Sequence, residues 1–191
     1  MPQQSHIRTG QAINTYGVGS LVPLEDGGSA IIVGLDRWPE PEVRSRLWIH
    51  DRNLKKICNG DRFLSPPTGN EGGRDIPMIR FPTVVSCPDC KTLQSHKNFC
   101  STAENECPKC LKPLTPSRFI VACLQGHLDD FPYEEWIHSS DKNSEATHNL
   151  SINSSGVSGA LGDIEISCSC KASGTMEGIF RPRALEGKFT C

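Results

Sequence analysis

The residues with the most chemistry in this sequence are its cysteines. Two Cys-Pro-x-Cys units, SCPDC and ECPKC, pair Cys87 with Cys90 and Cys107 with Cys110. The proline inside each unit fixes φ and favours a tight turn, so both sulfurs of a unit converge. Two such turns facing each other make the tetrahedral four-sulfur cage that zinc prefers, with Zn–S distances of about 2.3 Å. Sixteen residues separate the units, within the range of zinc ribbons. Four unligated thiols would leave so small and loop-rich a module with almost no core. The expected first zinc site is therefore Cys87, Cys90, Cys107 and Cys110, with His96 and Cys100 in the connecting arm outside it.

Four further thiols invite a second cage. Cys123 follows the apolar run Phe119-Ile120-Val121-Ala122, Cys168 and Cys170 lie in SCSC, and Cys191 is the last residue. The expected second zinc set is Cys123, Cys168, Cys170 and Cys191, with His127 and His148 as alternates because imidazole also suits zinc. Cys-x-Cys is a looser signal than Cys-x-x-Cys. The competing reading is a cluster of buried cysteines with one terminal thiol. Cys58, standing alone, reads as a buried thiol.

His127, Asp129 and Asp130 raise a catalytic alternative, a metal-dependent hydrolase or nuclease. Such clusters need further carboxylates or histidines at set positions, and no convincing second set is present. The competing reading is a helix start: acidic residues at the positive end of the helix dipole, Pro132 in the first turn, and Phe131, Trp136 and Ile137 on the buried side. Tyr16-Gly17-Val18-Gly19-Ser20 contains Gly-x-Gly but neither a Lys-Ser/Thr pair nor a third glycine, so it shapes a turn rather than a phosphate loop.

The elements around these residues are short. SLVPL, EDGGS and AIIVGL read as strand, turn and strand, with Asp26, Gly27 and Gly28 supplying the turn. Residues 36–57 carry two prolines and then a short helical pattern, with Val43, Leu47 and Leu54 as core candidates and Trp38 and Trp48 packing nearby. Residues 59–77 are a Pro/Gly-rich loop. Residues 139–162 read as an exposed loop flanking the strand LSI. DIEISCSCKA alternates as a strand with Ile164 and Ile166 inward, and the last residues end in two short strand-like pieces. The expected fold is mixed and β-rich with few short helices. It has an amino-terminal β segment over 1–79, a zinc ribbon over 80–122 and a second cysteine-containing β region over 123–191.

Composition narrows the partners. The formal net charge is −2, so the molecule as a whole is no basic nucleic-acid binder. In the ribbon, Lys91, Lys97, Lys109, Lys112 and Arg118 face Asp89, Glu104 and Glu106, a mild positive excess that reads as a solvated surface. No apolar run is long enough to cross a bilayer, and MPQQSHIRTG has no apolar h-region of a secretory signal. The expectation is a cytoplasmic chain with reduced thiols, in which ten cysteines serve metal rather than disulfides.

One ordered set of residues carries a resemblance. Arg8, Gln11 and Ile13 precede Tyr16-Gly17-Val18-Gly19-Ser20, followed by Gly34-Leu35-Asp36 and Trp38. Arg80-Phe81-Pro82 stands before the first Cys-Pro-x-Cys. Pro116-Ser117-Arg118-Phe119 leads into Ala122-Cys123, then Gly126-His127-Leu128-Asp129-Asp130-Phe131-Pro132, and Trp136 with His138. Over nearly the whole chain this resembles the DrmB family, the helicase-associated component of the DISARM bacterial anti-phage system. The resemblance implies a non-catalytic subunit acting with a helicase-type ATPase on DNA, cysteines in a structural metal role, and no catalytic residues to carry over. It implies that this chain corresponds to the amino-terminal part of longer proteins with a further helicase-associated domain. His148 stands where a cysteine is expected, which makes it a ligand candidate. The function expected from the sequence is a zinc-binding scaffold in a defence complex. Its rivals are a general zinc-ribbon nucleic-acid binder and the hydrolase centred on His127, Asp129 and Asp130.

Overall fold

The computed structural model describes residues 7–38, 48–60, 63–67, 76–99, 105–138, 148–154, 156 and 159–190. They divide into two compact units, Gln3–Glu25 with Ser29–Phe81, and Asp26–Gly28 with Pro82–Cys191. The protein is β-rich with few short helices, as its turn-dense composition suggested.

In the first unit, helix α1 (Thr9–Asn14) precedes strands β1 (Leu21–Pro23) and β2 (Ser29–Ile32). These strands pair antiparallel, Val22 opposite Ala30, and β5 (Met78–Arg80) adds to the other side of β2. Gly27 at φ 80° supplies the positive φ of the intervening turn, which only glycine reaches without strain. Ala12, Val22, Ile32 and Ile76 form the core, and Trp38 packs against it while its indole N–H donates to the Val33 carbonyl at 3.0 Å. The Gly17–Gly19 segment is a turn whose Gly19 amide donates to Ile32 O at 2.9 Å. Strands β3 (Trp48–Ile49) and β4 (Phe63–Leu64) form a separate pair.

Helix α2 (Arg52–Cys58) lies between them. Asp51 caps it, accepting from the amides of Asn53 (2.7 Å) and Leu54 (3.0 Å); that side-chain acceptor replaces the missing first-turn partners. Two expectations fail here. Leu54 is exposed rather than in the core, and Cys58 is an exposed thiol rather than a buried one. No residue of this helix is buried. Val43 and Leu47 lie outside the described residues.

The second unit is built on a six-stranded antiparallel sheet of order β13-β12-β11-β7-β6-β8. Its strands are β6 (Val84–Ser86), β7 (Thr92–Ser95), β8 (Thr115–Pro116), β11 (Leu150–Ser154), β12 (Ile164–Cys168) and β13 (Ser173–Thr175). The turn with Cys87 and Cys90 joins β6 to β7, Cys107 and Cys110 precede β8, and Cys168 ends β12 of the same sheet. Helix α3 (His96–Phe99) follows β7. A hairpin of β9 (Ile120–Ala122) and β10 (Leu128–Asp130) leads to helix α4 (Tyr133–Ile137). The main core joins Leu93, Phe131, Tyr133, Ile164, Ile166 and Met176, so Ile164 and Ile166 point inward as their alternation required. A smaller cluster gathers Val85, Cys87, Phe99, Cys107 and Leu114 around the first knuckles.

Two further expectations are corrected. Asp129 and Asp130 do not open a helix: they end β10, opposite Val121 and Ile120, and α4 begins at Tyr133. Residues 177–188 are successive turns rather than strands, closed by bonds such as Arg181 N to Gly178 O at 2.9 Å and Lys188 N to Leu185 O at 3.0 Å. Gly178 (φ 87°) and Arg183 (φ 64°) take left-handed backbone that an extended strand cannot contain.

Candidate metal centres

The first group is built by two turns of the same design. At each, the first cysteine amide donates across the turn: Cys87 N to Thr92 O (3.0 Å) and Cys107 N to Lys112 O (2.9 Å). Its carbonyl then accepts from four residues on, Lys91 N (3.0 Å) and Leu111 N (2.8 Å). The chain reverses through left-handed residues that are not glycine, Lys91 at φ 62° and Leu111 at φ 54°. Both turns therefore bring their two sulfurs toward those of the other. The ligand atoms of Cys87, Cys90, Cys107 and Cys110 all lie within 4.8 Å of one another.

The spacing fits a metal. A tetrahedral ion with Zn–S bonds of about 2.3 Å has sulfur–sulfur edges of about 3.8 Å, and Cys90 Sγ lies 3.8 Å from Cys107 Sγ. Cys87 and Cys107 are buried, Cys110 is half-buried and Cys90 is exposed. Without an ion the four thiols oppose one another. The Thr92 hydroxyl, 3.3 Å away, and the Thr92 amide lower Cys90 to about 6. Burial and the neighbouring sulfurs of Cys90, Cys87 and Cys107 push Cys110 up to about 12, and burial raises Cys87. A divalent cation removes this conflict, because a coordinating thiol is deprotonated outright.

The second group is His138, His148, Cys168 and Cys170, whose ligand atoms also lie within 4.8 Å of one another. Cys168 ends β12 and Cys170 sits in the turn to β13, closed by Cys168 N to Ala172 O (2.8 Å) and Lys171 N to Cys168 O (2.9 Å), with Lys171 at φ 76°. His138 ends α4, and His148 lies just before β11. His138 Nε2 is 3.2 Å from Cys170 Sγ, and His148 Nδ1 is 3.2 Å from Cys168 Sγ. Burial alone would lower the pKa of His138, but the Glu134 carbonyl and the nearby Cys168 outweigh it and raise it.

Of the residues expected in a second cage, the structure thus brings together Cys168, Cys170 and His148. Cys123 and His127 stand elsewhere, across the β9–β10 turn, where Cys123 N donates to His127 O at 3.0 Å, and neither belongs to a metal-ligand group among the described residues. Cys191 and Cys100 lie outside the described residues. Sequence reasoning assigned His138 no ligand role, because it lies far from every cysteine and pairs with no nearby histidine. Its only signal was its place after Trp136 in the family resemblance.

Among the described residues, His127, Asp129 and Asp130 do not form a metal-ligand group. Asp130 accepts from the amides of Thr83 (2.9 and 3.1 Å) and Val84 (3.1 Å) and from the Thr83 hydroxyl. Asp129 accepts from Asp130 N at 2.8 Å. No helix among the described residues is long and apolar enough to cross a membrane.

Comparison with known proteins agrees with the family resemblance. A family model described as "Domain of unknown function (DUF8724)" matches residues 8–191. The chain is 28% identical over 165 residues to the DISARM protein DrmB of Bacillus paralicheniformis, a match that covers 83% of this chain and 28% of that relative. The chain is therefore similar to the DISARM protein DrmB, and the match spans a little over a quarter of that relative's length.

Proposed function

The chain belongs to the family described as "Domain of unknown function (DUF8724)", and from that premise we propose that it is a metal-stapled, non-catalytic subunit of a cytoplasmic bacterial anti-phage complex. It serves as a rigid body on which a helicase-type ATPase docks, and it meets DNA within that complex. The observation that carries the scaffold reading is closure. Each of the two groups offers four protein donors, the full count of a structural zinc site, whereas catalytic zinc keeps a position for water or substrate. Zinc there would supply folding energy that clusters as small as Val85, Cys87, Phe99, Cys107 and Leu114 cannot. The defence role rests on the similarity to the DISARM protein DrmB.

The test is co-purification with a helicase-type ATPase encoded beside it, followed by DNA binding by each component and by the pair across a salt series. Binding that requires the pair supports the scaffold. Steeply salt-dependent binding by this chain alone would favour a general zinc-ribbon nucleic-acid binder, because neutralised phosphates set that slope. Metal-dependent nuclease activity of the chain alone would overturn the non-catalytic reading.

A further inference from the structure

The two four-donor groups differ in kind. The first is all sulfur. The second draws two of its donors from imidazoles, and both imidazoles lean on one residue, Glu134. We propose that His138, His148, Cys168 and Cys170 form a Cys2His2 zinc centre in which Glu134 is the positioning residue for both histidines.

The two contacts of Glu134 fix opposite ring nitrogens. Its backbone carbonyl lies 2.7 Å from His138 Nδ1, which places the ring proton on Nδ1. The lone pair of His138 is then on Nε2, the atom that faces Cys170 Sγ. Its carboxylate Oε1 lies 3.8 Å from His148 Nε2. That distance is long for a direct bond, but the carboxylate side chain is 54% exposed, free to close on Nε2–H or to reach it through one water. His148 is thereby left with its lone pair on Nδ1, facing Cys168 Sγ. Histidine ligands ordinarily hand their second N–H to a carbonyl or carboxylate, which sets the tautomer and the ring angle. Here one helical residue supplies both acceptors, one from its backbone and one from its side chain.

The remaining geometry agrees. Zn–N bonds of about 2.0–2.1 Å and Zn–S bonds of about 2.3 Å make tetrahedral nitrogen–sulfur edges of about 3.6 Å. The two observed nitrogen–sulfur contacts of 3.2 Å are those edges slightly drawn in. The rings are tilted by 50° with centroids 4.4 Å apart, so they fan around a common point rather than stack. Cys168 is buried and the His148 side chain is only 12% exposed, while Cys170 is exposed, so one side of the group is covered. Such a centre pins the end of α4 to the β12–β13 turn, a staple independent of the one at the Cys-Pro-x-Cys knuckles.

The experiment measures zinc content and zinc K-edge absorption of the purified chain, then zinc affinity of variants by chelator competition. Two zinc per chain with an averaged shell of three sulfurs and one nitrogen are expected, since the two groups together hold six cysteines and two histidines. A sulfur-only shell, or one zinc per chain, overturns the centre. His138→Ala should cost one zinc equivalent, and Cys123→Ser should cost none; the reverse pattern overturns the ligand set. Glu134→Ala should weaken the second equivalent about 10–100-fold, and Glu134→Gln, which keeps a side-chain acceptor, should recover most of it. Unchanged affinity in Glu134→Ala overturns the positioning role. The absorption measurement on the unaltered chain decides the matter even where a variant fails to fold. None of these readouts involves DNA or an ATPase, so failure of the defence role leaves this inference standing, and the reverse also holds.

Discussion

Asp130 holds Thr83 from both sides of its carboxylate: the Thr83 amide donates to Oδ1 at 2.9 Å and to Oδ2 at 3.1 Å, and the Thr83 hydroxyl donates to Oδ2. The Val84 amide adds a further bond at 3.1 Å. The end of β10 is thereby tied to the start of β6, far away in sequence. A carboxylate that accepts from three donor groups is placed to hold backbone.

Removing that clamp should cost stability and nothing specific to catalysis. Bonds to a charged acceptor contribute about 1.5–3 kcal/mol each, and an orphaned, half-buried amide adds part of a further penalty. Asp130→Ala is expected to lower unfolding free energy by about 2–4 kcal/mol in urea denaturation. Asp130→Asn, which keeps one acceptor oxygen, should lose less. A nuclease activity that vanishes in Asp130→Asn while metal content and melting temperature hold would restore the hydrolase reading.

The knuckle turns store strain at Leu111. It sits at φ 54° and is 75% exposed, so its side chain contributes little packing to offset the left-handed backbone. That conformation costs an L-residue roughly 1–2 kcal/mol, against the roughly 0.5–1 kcal/mol that glycine loses in backbone entropy. Leu111→Gly should therefore be neutral or stabilising by up to about 1 kcal/mol. Leu111→Ile, β-branched at the same φ, should destabilise by at least as much. Thermal melts of the zinc-loaded chain measure both; a large loss in the glycine variant would mean that the side chain holds the knuckle in a way its exposure does not suggest.

How much of this could be read from the sequence depends on how local each cause is. The grouping of Cys87, Cys90, Cys107 and Cys110 follows from two short turns with proline between the sulfurs, and so does the hairpin around Gly27. The inward Ile164 and Ile166 follow from period-two alternation in one strand. Cys123 was grouped with Cys168 by elimination, a weak argument, because which distant turn meets which is settled by strand order. The sheet brings β12 beside β11, and α4 contacts β12 and β13, so His138 and His148 meet Cys168 and Cys170. Asp129-Asp130-Phe131-Pro132 carried a helix-start signal, but a single carboxylate bonded to three donor groups outweighs the smaller pull of a helix dipole.

Lys188 should matter to the last turns more than to either centre. Its ammonium donates to the Trp136 carbonyl at 2.9 Å and stands 4.6 Å over the Trp136 ring, while the indole N–H donates to Thr175 O at 2.9 Å. Lysine at a helix carboxyl end satisfies a carbonyl left without a helical partner. Lys188→Met keeps the aliphatic stem and removes the charge, and should cost about 0.5–1.5 kcal/mol. Proteolysis within residues 177–190 should quicken, with zinc stoichiometry unchanged. Loss of a zinc equivalent in this variant would mean that the carboxyl-terminal turns help hold His138.

Cys90 holds out against acid longer than Cys87 or Cys110 in the first group. Its ordinary value of 9.0 is lowered to about 6, first by the Thr92 hydroxyl and then by the Thr92 amide. A depressed folded-state value means that its contribution to stability is fully present above the unfolded value and is lost as pH falls through about 6. Zinc competes with protons for the same sulfur, which moves release still lower. Zinc release from the chain on acidification, followed with an indicator dye, has a midpoint set by all four thiols, and the low value of Cys90 moves it downward. Thr92→Val removes the hydroxyl donor with little change of shape and should move that midpoint upward, toward neutral pH. If the valine variant released zinc at the same pH as the unaltered chain, the Thr92 hydroxyl would not be what keeps Cys90 ready to bind metal.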